Sequence, residues 1–281
     1  MAFAPVIPAS GLPGYRLLTA TETTQRAVFD RQPEIQRDVD YFAAKIGDVK
    51  NAADLVADRR LLTVALGAFG MDEEIDKRAF LRRVLEEGSE SADAFANRFV
   101  DPRYARIARA FGFGDAGGAR VNEPGFVSGL TEAYKERQFE IAVGDQDEVM
   151  RLALNFRREI ATYANANDPE GTAWFSAMGD PPTRRVLEGA LGLPSSIGQL
   201  DIDRQRDEFR DASAKTFGDR SMAVFRDPGV VEQAISAFIV RATAASGPSP
   251  TAPGAAALTL ISNAQGFGSG AAQNLTLSLV R

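Results

Sequence analysis

The residues in this chain that could do chemistry are carboxylates and arginines. Carboxylates stand side by side at Glu73-Glu74 and at Glu86-Glu87. Glycoside hydrolysis needs two carboxylates facing each other across a cleft with separated pKa values. Neighbours on a helix point about 100° apart, so these pairs read as solvated helix surface instead. Arginine pairs occur at Arg59-Arg60 and Arg184-Arg185, in equivalent places at two helix beginnings. A guanidinium forks onto a carboxylate, so the first expectation is a structural salt bridge, with a partner-binding role as the alternative.

Three further patterns fail on their own chemistry. Asp201-Ile-Asp203 opens like a calcium loop, but Arg206 stands where that loop needs Gly and Ala212 where it needs the bidentate Glu. Asp201 then reads as a helix cap. Gly112-Phe-Gly114 and Gly266-Phe-Gly-Ser-Gly270 lack the strand-to-helix setting of a dinucleotide site and the Lys-Ser/Thr of a phosphate loop. Both read as turns.

What is missing narrows the field more. The 281 residues contain no Cys and no His. Disulfides, thiolate catalysis, thiolate or imidazole zinc sites, a Ser-His-Asp triad and a His general base all fall away. The formal charge is −6. Arg78, Arg82 and Arg83 are interleaved with Glu74, Glu86 and Glu87, a solvated face and not the basic stripe of a nucleic-acid binder. The expectation is therefore no enzyme, no cofactor, no metal, no catalytic residue and no nucleic-acid partner.

The elements that would position any site are helices. Hydrophobic residues make up 44% of the chain, with Phe (18) far outnumbering Trp (1) and Tyr (5). Helix punctuation is clear. Asn51 is expected to cap a helix running through Leu55, Leu62, Leu66 and Phe69 to Gly70, and Asp72 one that ends at Gly88. Ser91 is expected to open a helix through Phe95 and Phe99. Asp101-Pro102, Asp180-Pro181 and Asp227-Pro228 each place a capping Asp before a Pro at the first helical position. A long helical stretch runs from Gly125 to Tyr163, interrupted at Gly144, with Asp145 and Glu148 resembling a capping box. Asp201 opens a helix that Gly218 stops. Phe69, Phe99, Phe111, Phe217 and Phe238 fall on apolar stripes and read as core.

The blocks repeat. Arg59-Arg-Leu-Leu-Thr-Val-Ala-Leu-Gly67 matches Arg184-Arg-Val-Leu-Glu-Gly-Ala-Leu-Gly192, and Phe99-Val-Asp-Pro102 matches Phe225-Arg-Asp-Pro228. Upstream, Tyr41 to Asp48 pairs with Trp174 to Asp180, after which the second copy omits the Asn51 segment. Blocks in fixed order at near-fixed spacing indicate a tandem duplication. The expected fold is all-α: an extended segment 1–13, helical repeat 1 over 14–124, helical repeat 2 over 125–245, and a flexible Gly/Ala/Pro-rich linker and tail over 246–281. Leu275 to Leu279 alternates in a way that fits a strand or an adhesive end. No positive n-region and apolar h-region open the chain, and no apolar run of roughly 18 residues occurs. A cytoplasmic or flagellum-associated location without a classical signal peptide is expected.

That last alternative comes from a resemblance. Ala57-Asp-Arg-Arg-Leu-Leu-Thr-Val-Ala-Leu-Gly-Ala-Phe-Gly70, Asp101-Pro-Arg-Tyr104, Arg137-Gln-Phe-Glu-Ile-Ala-Val-Gly144 and Ala190-Leu-Gly-Leu-Pro-Ser-Ser196 resemble a bacterial family of unknown function. Its members are found beside flagellar genes and are often labelled flagellar or basal-body-rod-like proteins. The similarity spans residues 10 to 245. It implies a helical, repeat-containing protein without catalytic residues, whose partner is a flagellar component. The long terminal heptad helices of axial flagellar proteins are missing at both ends, which points to an accessory protein of flagellar structure or assembly. A cytoplasmic regulator or chaperone of the same system, and a hydrolase using only carboxylates, are the alternatives.

Overall fold

The computed structural model describes residues 3–165 and 171–246. Within them the chain forms twelve α-helices, linked by short 3-10 turns, and no strand. The chain divides between Val240 and Arg241 into two units. Of the second unit, the described residues are the end of the last helix. The expected linker, the Gly266–Gly270 turn and the Leu275–Leu279 segment lie outside the described residues.

The first half runs α1 (Gly11–Phe29), α2 (Pro33–Lys45), α3 (Ala52–Ala57), α4 (Arg59–Phe69), α5 (Arg78–Glu87) and α6 (Pro102–Phe111). The second half runs α7 (Phe126–Gly144), α8 (Glu148–Ala164), α9 (Thr172–Gly179), α10 (Pro181–Leu191), α11 (Ile202–Phe217) and α12 (Pro228–Ser246). In both halves two long helices come first. A short helix follows, then an Asp-preceded helix ending at Gly. A 3-10 turn, a further helix, a second 3-10 turn and an Asp-Pro helix complete the series. By that order α9 corresponds to α3, and Asp180 to Asp58. The sequence pairing of Trp174–Asp180 with Tyr41–Asp48 is therefore out of step, and so is that of Arg59–Gly67 with Arg184–Gly192: Arg59 opens α4, Arg184 is the fourth residue of α10, and the helix-ending Gly192 corresponds to Gly70. The second half omits the 3-10 turn Ile46–Asp48, not the Asn51 segment.

Local chemistry explains most boundaries. Asp101, Asp147 and Asp201 each accept backbone N–H groups of the helix that follows. The single helix expected from Asn51 to Gly70 is two, because Asp58 adopts an extended backbone and its carboxylate takes the N–H groups of Arg60 and Leu61. The box expected at Asp145 and Glu148 does not form: Asp147, two residues beyond Asp145, caps α8 alone, and Met150 stands at the third position where a box needs Glu or Gln. Ser91 opens no α-helix: Phe95–Arg98 is a single 3-10 turn. Asp72 heads a 3-10 turn, and α5 begins only at Arg78. At the other end, α1 begins at Gly11, with Pro13 tolerated in its first turn.

Packing then orders the helices. α2 and α7 both lie against α4, α7 lies against α8, and α8 against α10. Phe42, Leu62, Leu66 and Phe111 are fully buried in one apolar cluster, each contributing roughly 1.5–3 kcal/mol. Of the aromatics read as core, Phe111 and Phe238 are buried, while Phe69, Phe99 and Phe217 are partly covered. Trp174 is fully buried and donates its indole N–H to the Arg220 carbonyl at 2.9 Å.

Candidate functional site

Where α6, α7, α8 and the start of α10 converge, charge replaces the apolar core. Glu159 on α8 is 5% exposed. It accepts from Arg137 of α7 at 2.5 Å, from Arg106 of α6 at 2.5 Å, and from the neighbouring Arg158. Arg158 in turn grips Glu140 of α7 with two bonds, at 2.8 and 2.9 Å. Burial alone would push the Glu159 carboxyl upward. Three guanidinium groups more than offset that and hold it at about 2. Arg137 is itself lowered by burial and by the nearby Arg158 charge.

Arg137 and a further arginine, Arg103 of α6, also close the end of α4. Arg137 Nε donates to the Ala68 carbonyl at 2.8 Å, and Arg103 donates to the Gly70 carbonyl. Positive charge at a helix C-terminus satisfies orphan carbonyls and suits the macrodipole. The left-handed Gly70 (φ 67°) lets Arg137 approach: a Cβ there would lie 2.7 Å from Nη1.

A cavity of about 140 Å³ opens beside this network. Asp180 lines it and is 3% exposed. Unlike the other Asp residues that precede helices, its side chain bonds no backbone N–H of its helix. Pro181 and Pro182 offer none at the first two positions. The carboxylate instead accepts the Thr183 hydroxyl at 2.5 Å and stands near Arg103 and Arg106. Asp72 also lines the cavity; burial raises its pKa, and Gln138 donates to it at 3.1 Å. The wall is mostly charged, with four arginines and five carboxylates. Among the described residues no group of His, Cys, Asp or Glu is arranged to hold a metal.

Of the residues singled out in sequence for chemistry, Glu73 lines the cavity and pairs with Arg103 at 3.2 Å, and the others lie elsewhere. Arg59 pairs with Asp76 at 2.8 Å. Arg60 lies 3.8 Å above the Tyr41 ring. Arg184 bonds Glu188 at 2.7 Å and Gln205 at 2.8 Å, and Arg185 is exposed. These are structural contacts, and nothing joins the two pairs in one site. Glu86 and Glu87 are exposed and paired to Arg82 and Arg83 one turn earlier. Glu74 departs from the solvated reading: it is 6% exposed and accepts from Lys77 at 2.8 Å.

Arg106, Arg158 and Glu159 belong to none of the motifs read in the sequence, and Arg137 only to a block of the family resemblance. Their signal is charge on an apolar stripe. Glu159 sits between Phe156 and Tyr163, three and four residues from each. Arg137 continues Leu130 and Tyr134 in the same way.

No curated protein matches the chain in sequence. The crystal structure of protein AGR_C_984 from Agrobacterium tumefaciens is similar, with a TM-score of 0.68 at 27% identity, over 85% of this chain and 97% of that one. A family model matches residues 68–231, a stretch that includes every residue lining the cavity, and by that match the chain belongs to the family described as Protein of unknown function (DUF1217).

Proposed function

We propose that this chain is a non-enzymatic interaction or structural accessory protein linked to bacterial flagellar structure or assembly. The flagellar part rests on the four sequence blocks within residues 57–196 and their resemblance to proteins found beside flagellar genes. The non-enzymatic part is supported by one observation above all. The only strongly buried carboxylate–arginine cluster described is spent on joining helices: Glu159 is held ionised by three arginines and is not poised to move a proton near neutral pH. The repeated order of elements supports a scaffold with related surfaces.

Deleting the gene and scoring filament assembly and swimming tests this reading. Loss of filaments or motility, restored by the intact gene, is expected; normal flagella and swimming would overturn it. Fractionation separates an assembled accessory, found in purified basal bodies, from a cytosolic regulator or chaperone.

A further inference from the structure

Apolar side chains gather at the surface along α1. Leu17, Thr21, Thr24 and Val28 stand three or four residues apart and so share one face of that helix. Beside them runs the segment 3–8, pinned by three glutamines. Gln25 accepts from Val6 N at 2.6 Å and donates to Val6 O at 3.2 Å, Gln32 accepts from Phe3 N at 3.0 Å, and Gln146 donates to Pro5 O at 2.6 Å. Between that segment and α1 lies a groove of about 390 Å³, lined by Val6 and Pro8 from the segment and by Leu17, Thr24 and Val28 from the helix. Of the seven large hydrophobic side chains exposed among the described residues, three stand here: Val6, Leu17 and Val28. Exposed apolar surface gathered in one place marks a binding site, whereas single scattered side chains do not. No charged residue lines the groove, so a charged occupant would lose its hydration and find no ion partner.

The sequence holds a segment of matching character. The chain is 25% charged, yet from Ala242 to Val280 it carries no Asp, Glu, Lys or Arg. Within that stretch Leu275, Leu277 and Leu279 alternate with Thr276 and Ser278. We propose that the groove is filled by residues 275–280 of a second copy of this chain. That a second copy supplies them rests on the structural-accessory reading above, since a structural protein joins to a neighbour and each copy offers one groove and one segment. Laid extended in the groove, the three leucines fall on one side and span about 13 Å, against about 16 Å from Leu17 to Val28 along α1. The 28 residues between Ser246 and Leu275 can span at most roughly 100 Å, enough to bridge from one copy to the next. Groove and segment are different surfaces, so the contact is head-to-tail.

Sedimentation equilibrium of the full chain tests this, with concentration-dependent association as the expected result. Leu277→Asp in the segment and Val28→Asp in the groove, each checked for native helicity, should each weaken association at least tenfold. Val100→Asp, at an exposed valine outside the groove, and Leu260→Asp, elsewhere in the uncharged stretch, should leave it unchanged. A chain that stays monomeric, or that all four changes weaken equally, would overturn the proposal. Because the chain has no Cys, introduced thiols identify the contact. Leu17→Cys in one tagged copy and Leu277→Cys in another, mixed and mildly oxidised, should form the mixed disulfide at least tenfold more than when Val100→Cys replaces Leu17→Cys. With both changes in a single chain, a disulfide closed within that chain at every concentration would place its own segment in the groove and overturn the second copy. A monomeric chain whose deletion still abolishes swimming sinks this contact and leaves the flagellar reading standing; association with normal swimming supports the contact and sinks that reading.

Discussion

Arg137 on α7 and Glu159 on α8 meet at 2.5 Å with both residues at least nine-tenths buried. They are 22 positions apart in sequence, and the same guanidinium reaches the Ala68 carbonyl of α4. One side chain therefore ties three helices, and the carboxylate ties in α6 through Arg106.

Removing the hub charge should be costly. Glu159→Gln leaves three guanidinium groups around a neutral amide and is expected to destabilise by about 3–5 kcal/mol. Urea unfolding measures it. The double variant Arg137→Met/Glu159→Leu is expected to lose less than the sum of the single changes, because no uncompensated charge is left between that pair. Additive losses would contradict the pairing.

The same carboxylate sets an acid limit. Its pKa falls from the ordinary 4.5 to about 2 on folding. Its stabilisation is therefore complete above about pH 4.5 and is lost as pH falls toward 2, on the order of 3 kcal/mol in all. Denaturation midpoints taken between pH 6 and 2 should fall through that window in the native chain, with a shallower fall in Glu159→Gln.

Gly70 and Gly218 separate backbone strain from crowding. Both adopt positive φ, 67° and 85°. A Cβ on Gly218 meets nothing within 4 Å, whereas one on Gly70 meets Arg137 Nη1 at 2.7 Å. Gly218→Ala should cost about 1 kcal/mol, and Gly70→Ala more than that because Arg137 must also move. Equal midpoints in thermal unfolding would refute the difference.

Gln25 holds the segment before α1. Its amide accepts from Val6 N at 2.6 Å and donates to Val6 O at 3.2 Å. Gln25→Leu should leave both groups unpaired and speed amide exchange at Val6 severalfold or more, with little effect at the centre of α4. Hydrogen exchange followed by mass spectrometry reads both places.

How much of this was legible in the residues depends on the range of the forces involved. Helix class, the Asp-Pro starts at Pro102, Pro181 and Pro228, and the glycine stops at Gly70, Gly112, Gly192 and Gly218 follow from backbone sterics and hydrogen bonds within a few residues. Competition between caps was less readable. Asp58 broke an expected helix, and Asp147 took the place of Asp145, because several nearby acids could serve and packing selected among them.

The charged joint was decided by tertiary structure alone. Arg103, Arg106, Arg137, Arg158 and Glu159 lie on three helices, and no local pattern says which guanidinium meets which carboxylate. Only packing of α6, α7 and α8 brings them together and excludes water, and it is that exclusion which makes the pairs strong and a lone member costly. Asp180 shows the same division: its position before Pro181 is a property of the sequence, while its burial at the cavity wall near Arg103 and Arg106 is a property of the fold.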